Sequence, residues 1–218
     1  MEAEAAPVRK ELNLTGEGNP LAEGISARLW SNESVHVVIN GSDARFGVDA
    51  IGTLPASLTT LLAIEKTNPK IVISAGTCGG FTARDGFIGE IILANRCVFH
   101  DRRIPLKGFM NYGVGDFRVA DLDEIAERLG FRMGTVSTGD SLDSQPSDLD
   151  FMNSVTAVAK DMEAAAVAWV CALKVTTDLV DGEITTEEEF VTNLQYASNR
   201  LSEGILSLVH ELKDFRTE

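Results

Sequence analysis

The sequence predicts an α/β fold with a mostly parallel sheet and a ligand site along the carboxyl edges of its strands. Three observations carry this. Short apolar runs at 35–39, 71–74, 89–94 and 132–137 alternate with stretches of helical spacing. Several runs end in polar or small-residue turns, at 75–80, 138–143 and 177–182. No repeat, low-complexity tract or linker divides the 218 residues, so one domain over 1–218 is expected.

Composition narrows the partners. Hydrophobic residues make up 44% and charged residues 24%, an ordinary globular balance. The net charge of -14 repels phosphate backbones and anionic lipid. No nucleic acid and no membrane are therefore expected as partners, while a neutral nucleoside stays open. No apolar run is long enough to span a bilayer, and no export segment is recognisable. Cys78, Cys97 and Cys171 are scattered without metal-type spacing, which suggests reduced thiols and a cytoplasmic protein. Three histidines without a paired motif give no zinc site, and no metal is expected.

Along the chain, Met1–Leu12 reads as a helix with Glu2 and Glu4 in its first turn, where the macrodipole favours acids. Gly16–Gly24 is a turn-rich loop. Val35–Ile39 reads as a buried strand ending at Asn40-Gly41. A helix is expected from about Val48 to Thr67. Pro55 either kinks it or marks its true start, and Asn68-Pro69 stops it. Ile71–Ser74 is a strand running into the turn Ala75–Gly80. Such a turn exposes backbone N–H groups, although its glycines are also explained by positive φ alone. It is not G-x-G-x-x-G and lacks a P-loop Lys, so a dinucleotide or triphosphate site has little support.

Gly89–Ala94 is another strand, and Cys97–His100 is a short apolar stretch after it. His100 reads as a satisfied imidazole. Asp101–Pro105 opens a long loop to Gly115. Ala120–Leu129 is a helix and Arg132–Ser137 a strand that breaks at Thr138–Asp143. Ala157–Asp161 approaches Asp161-Met162-Glu163, where a helix rich in alanine begins and runs to Cys171. An acid there is either a favourable helix start or a carboxylate aimed at ligand hydroxyls. Leu173–Asp178 is a strand ending in an acid. The last helix, about Thr186 to Leu212, opens on a capping-box pattern after Thr185. Its Phe190, Leu194, Ala197, Leu201, Ile205, Leu208 and Leu212 form a core stripe.

Five stretches, in order, carry a family resemblance. They are Ser-Ala-Gly-Thr-Cys-Gly-Gly at 74–80, His-Asp-Arg-Arg-Ile-Pro at 100–105 and Ser-Thr-Gly-Asp-Ser-Leu at 137–142. Lys-Asp-Met-Glu-Ala-Ala-Ala-Val-Ala at 160–168 and Thr-Asp-Leu-Val-Asp-Gly at 177–182 complete the set. Together they resemble the plant-type 5′-methylthioadenosine/S-adenosylhomocysteine nucleosidases. The resemblance implies a nucleoside phosphorylase-like α/β fold, a three-layer sandwich with a mixed, mostly parallel central sheet flanked by helices. It implies hydrolysis of the N-glycosidic bond to adenine and methylthioribose, no cofactor, and usually a homodimer.

The same resemblance assigns roles. Asp178 matches the acid that protonates purine N7, with Thr177 orienting it. Glu4 matches the carboxylate that polarises the attacking water, and Thr77 a hydroxyl close by. Glu163 matches the acceptor for the ribose 2′- and 3′-hydroxyls. Met162 would line the ribose and alkylthio pocket, and Lys174 would position the carboxylates. Leu142 and Asp143 fall where the purine is contacted. Ile104 and Phe109 would reach the thioalkyl pocket of a partner subunit.

Two other readings differ in chemistry. A purine or uridine phosphorylase of the same fold needs cations for the phosphate dianion. Here the first region is Met1-Glu2-Ala3-Glu4, and Ser74 stands where those enzymes carry an Arg. The other is an inactive nucleoside-binding protein, which the filled catalytic-type positions oppose. Two departures from the family pattern stand out. The family has an apolar strand before Met-Glu-Ala-Glu. It also has a loop and most of a buried strand where Cys171–Lys174 joins the motif helix to the Thr-Asp turn. The expectation is that the sequence as given omits residues, the alternative being a sheet that lacks a central strand.

Overall fold

The structure is a computed structural model and describes residues 1–167 and 171–213. In chain order the first elements are α1 (Glu2–Glu11), β1 (Asn19–Pro20), β2 (Arg28–Ser31), β3 (His36–Ile39), β4 (Ser42–Asp43), β5 (Val48–Asp49) and α2 (Thr53–Thr67). Then come β6 (Ser74–Gly80), a 3-10 turn at Thr82–Arg84, β7 (Ile91–Phe99), α3 (Phe109–Val114), β8 (Phe117–Arg118) and α4 (Asp123–Leu129). The last are β9 (Arg132–Thr138), α5 (Pro146–Ser154), β10 (Ala157–Asp161), α6 (Ala164–Val167), β11 (Ala172–Leu179) and α7 (Thr186–Leu212).

The main sheet runs β11-β6-β10-β9-β7-β8, and β11 also pairs with β7. Five strands therefore close into a ring. Of its pairings among the described residues, β11–β6, β10–β9 and β7–β9 are parallel, while β10–β6 and β11–β7 are antiparallel. Alternation along the strands separates two cores. Leu93, Leu173 and Val175 face α7, where they meet Leu201, Ile205 and Leu208, and α1 and α4 add Val8 and Ile125. Ile92, Ala94, Cys97, Val136, Ala159 and Ala172 face the other way with Ala164 and Ala165 of α6. The small residues suit the narrow interior of a five-stranded ring.

Several expectations need correction. Val35–Ile39 is no central strand: β3 belongs to a separate antiparallel sheet β1-β2-β3, and β2 had no clear apolar signal. His36 is exposed and the rest of β3 only partly buried. The helix expected from Val48 starts at Thr53, so Pro55 marks its first turn, where a missing N–H costs nothing. The strand expected over 89–94 runs on through the apolar stretch that follows as one strand, β7, with an irregularity between Ala94 and Arg96. Residues 74–80 are strand rather than turn, and none of Gly76, Gly79 and Gly80 has positive φ. Helix α5, begun by Pro146, was not anticipated.

The alternative of a sheet that lacks a central strand does not hold. β11 pairs with β6 from Ala172 to Leu179 and with β7 from Leu173 to Val175, filling the sheet. The helix expected to reach Cys171 is described only over Ala164–Val167, and Cys171 already gives its carbonyl to Ser74 N–H at 2.9 Å. Residues 168–170, where the short connection falls, lie outside the described residues.

One strand contact depends on a missing side chain. A Cβ built on Gly134 of β9 falls 2.4 Å from Cγ2 of Val158 in β10. Gly134→Ala should therefore overpack this contact and cost about 1–3 kcal/mol in urea unfolding. Adding Val158→Ala should recover part of that loss. Purely additive losses would show that the two positions do not meet.

Candidate active site

The site is built around a buried ion pair. Lys174 of β11 places Nζ 2.7 Å from Oδ2 of Asp161 at the end of β10. Both side chains are out of solvent, at 1% and 0% exposure. Asp161 is saturated: Oδ1 accepts from Thr138 Oγ1 at 2.6 Å, and Oδ2 also accepts from Ala164 N–H at 2.8 Å. Asp161 thus caps the start of α6 and acts structurally, as its place before the alanine run suggested. Burial pushes Lys174 toward neutrality, but Asp161, Glu163 and Glu4 together pull it the other way, and the net is upward. Lys174 stays an ammonium.

That ammonium gathers two more carboxylates. Glu163 sits in the bend between β10 and α6, and its Oε1 accepts from Gly52 N–H at 2.9 Å. Burial raises the Glu163 carboxyl above its ordinary value, and Asp161 and Glu4 add to the rise against Lys174 and Gly52. Glu4 of α1 approaches across β6. Its Oε1 accepts from both Thr77 N–H and Thr77 Oγ1 at 2.7 Å. Burial pushes the Glu4 carboxyl up, and the two Thr77 donors pull it down. Gly76 makes this approach possible, since a Cβ there would lie 3.3 Å from Glu4 Oε1 and 3.5 Å from Lys174 Nζ. The glycines of 76–80 thus serve space, not φ.

Asp178 occupies the end of β11 and is 3% exposed. Thr177 Oγ1 lies 2.8 Å from its Oδ1 and 3.2 Å from the Cys78 carbonyl. A Cβ on Gly79 would fall 2.7 Å from Asp178 Oδ2, so that strand position must be glycine for the carboxyl to fit. Burial raises the Asp178 carboxyl. Thr177 and Lys160 oppose the rise, and Glu189 adds to it.

The turn after β9 forms another wall. Leu142 and Asp143 line a cavity of about 550 Å³ with Leu149, Val180 and Ile184. Glu4, Glu163 and Asp178 are not among its lining residues, so it adjoins the carboxylates rather than containing them. Met162 is partly buried beside Glu163. Ile104 and Phe109 are set apart on the segment before and within α3, with Phe109 half exposed and stacked edge-on against Tyr112. The chain thus brings together Glu4, Thr77, Glu163, Lys174, Thr177 and Asp178, with Met162, Leu142 and Asp143 adjacent, but not Ile104 and Phe109.

Sequence reasoning missed four supporting residues. Gly52, at φ 98°, turns the chain into α2 so that its N–H reaches Glu163. Asp140 caps the same helix, accepting from Thr53 N–H at 2.7 Å and Thr53 Oγ1 at 2.6 Å. Thr138 links Asp161 to Ala165 N–H. Lys160 points Nζ at three carbonyls of the 141–143 turn. The signals available were the capping pattern of Gly52-Thr53, the place of Thr138 and Asp140 inside the 137–142 motif and that of Lys160 inside the 160–168 motif.

A sequence model of the phosphorylase superfamily matches residues 1–210. The chain belongs to the phosphorylase superfamily. Within that superfamily it is similar to a 5′-methylthioadenosine nucleosidase of Arabidopsis thaliana, 41% identical over 207 residues, covering 89% of this chain and 78% of the relative. It is also 35% identical to a 5′-methylthioadenosine/S-adenosylhomocysteine nucleosidase of the same plant, covering 96% of this chain and 87% of that one. The fold of the solved apo form of Arabidopsis 5′-methylthioadenosine nucleosidase superposes with a TM-score of 0.93 at 39% identity, over 100% of this chain and 94% of that chain. The resemblance read from the five motifs and the expected α/β architecture are both borne out.

Lys174→Met should leave Asp161 buried without its counter-ion. We expect a loss of about 3–5 kcal/mol in urea unfolding. A change below about 1 kcal/mol, the range of an exposed pair, would show that Asp161 is not held by Lys174.

Proposed function

We propose that this chain hydrolyses the N-glycosidic bond of 5′-methylthioadenosine, releasing adenine and methylthioribose, in methionine salvage. The observation that carries the reading is the sorting of its carboxylates: Glu4 accepts twice from Thr77 in an ionised-carboxylate setting, while burial raises Asp178 beside a single hydroxyl. Adenine leaves poorly as an anion and water attacks poorly unaided. The reaction therefore wants a protonated acid at purine N7 and an ionised carboxylate at the water. Asp178, oriented by Thr177, is the acid. Glu4 takes the water proton as the water oxygen bonds to C1′ and the bond to the base breaks. Glu163 accepts from the ribose hydroxyls through Oε2, its Oε1 being tied to Gly52. Lys174 positions the carboxylates, Thr77 aligns Glu4, and Met162 lines the sugar. Leu142 and Asp143 flank the base.

Phosphorolysis is disfavoured by the same geometry. Among the described residues the buried lysines are Lys160 and Lys174, and both are committed to oxygens of the protein. A phosphate dianion entering here would meet Glu4 and Glu163.

The chain also presents an apolar face. Leu54, Leu58 and Leu61 stand at helical spacing on α2 and are 69%, 52% and 56% exposed. This face supports a homodimer, in which Ile104 and Phe109 would serve a partner's site. No described helix is long and apolar enough to cross a membrane. The three cysteines are buried and unpaired, which supports a cytoplasmic setting.

Asp178→Asn should lower adenine release by about 100-fold to 10,000-fold, the range of general acid catalysis, with folding intact. Near-normal release would remove Asp178 from the role. In the wild type, kcat/KM should fall as pH rises through the raised Asp178 value, because the acid then loses its proton. It should also fall as pH drops through the raised Glu163 value, because the ribose acceptor is then neutralised. In sedimentation, Leu58→Glu with Leu61→Glu should convert a dimer to a monomer; an unchanged mass would show that α2 is not the interface.

A further inference from the structure

We infer that Lys160 is a positioning residue for the base side of the site: its ammonium fixes the 141–143 turn and places a positive charge that bears on Asp178. This rests on the nucleosidase reading and deepens it. Lys160 is 5% exposed, in the last stretch of β10. Its Nζ lies 2.8, 2.5 and 2.7 Å from the carbonyl oxygens of Ser141, Leu142 and Asp143. An ammonium has three donors, and here three successive carbonyls take all of them. No neutral side chain of that length supplies three donors at one point. Without them, three backbone carbonyls lose their partner beside a cavity lined by Leu142 and Asp143.

A satisfied buried lysine can be purely structural. The charges around this one argue for more. The acids whose charge bears on Lys160 are Asp178 of β11, Asp143 of the turn, Asp148 of α5 and Asp161 of its own strand. On the far side its charge also bears on His100, after β7. Burial drives Lys160 toward the neutral form and these acids, Asp178 first, offset it only in part, so the net is downward; the three carbonyl oxygens are what hold the ammonium. Around Asp178 the facing groups are Thr177, Lys160 and Glu189 of α7. Burial and Glu189 both favour the proton on Asp178, and the Lys160 charge opposes them. An acid held too tightly transfers its proton poorly, so the opposing charge keeps Asp178 usable. The turn and the acid are thereby controlled by one side chain.

Two variants separate the two effects. Lys160→Met removes donors and charge. Lys160→Arg keeps the charge but replaces a three-donor point by a planar fork. For Lys160→Met we expect KM for methylthioadenosine to rise about tenfold. We also expect the alkaline limb of kcat/KM to move up by about one pH unit, since Asp178 loses its opposing cation. Lys160→Arg should keep the wild-type limb while weakening adenine binding, measured by calorimetry. A folded Lys160→Met with an unmoved limb contradicts the inference, whatever its KM. If Lys160→Met does not fold, Lys160→Arg decides: wild-type adenine affinity overturns the proposal. Wild-type protein that releases no adenine from methylthioadenosine overturns the nucleosidase reading instead, and the adenine titrations still report on the turn.

Discussion

The site depends on one buried charge. Glu4, Asp161 and Glu163 come from α1, the end of β10 and the bend after it, and all crowd one region of low dielectric. Three carboxylates so placed would repel one another or take up protons. Lys174 prevents this by rising from β11 between them, paired to Asp161 and felt by the other two. A buried pair is weak evidence for net stability, since desolvation offsets much of the attraction. Its value here is permissive. It holds Asp161 where it caps α6, and it limits how far Glu163 is raised.

From that constraint the rest of the geometry follows. β6 lies between β10 and β11, so the pair must form across it. The small residues of 74–80 make room: Gly76 for Glu4 and Lys174, Gly79 for the Asp178 carboxyl. The alanines of α6 let that helix sit on the inward face of the ring. Its start is held by Asp161, its preceding bend by Gly52 of α2, and α2 in turn by Asp140. Acid and base behaviour then differ by environment alone. Thr77 donates to Glu4 twice, while Asp178 is buried with a single hydroxyl beside it.

Much of this was legible in the sequence where a signal was local. The alternation of apolar runs with helical spacing gave the fold class. The extent of α7 matched its cap and stripe, because Thr185 and the leucine spacing are encoded within the helix. The acid at a strand end and the glycine-rich 74–80 stretch marked the site. What could not be read was tertiary. The ring closure of β11 onto β7 leaves no mark on either strand. β3 reads as a core strand because three apolar residues in a row, Val37 to Ile39, do not reveal which sheet they join. Gly79 looks like a turn glycine until Asp178 is seen beside it. Lys160 looks like a surface charge until its three carbonyl partners are assembled from a turn some 20 residues away.

The central claim is that carboxylates and water, not a cation-bound phosphate, act on the anomeric carbon. The most direct measurement is the identity of the sugar formed from 5′-methylthioadenosine in saturating inorganic phosphate. The carboxylate site predicts free methylthioribose and a rate indifferent to phosphate. Methylthioribose 1-phosphate as the product would contradict it.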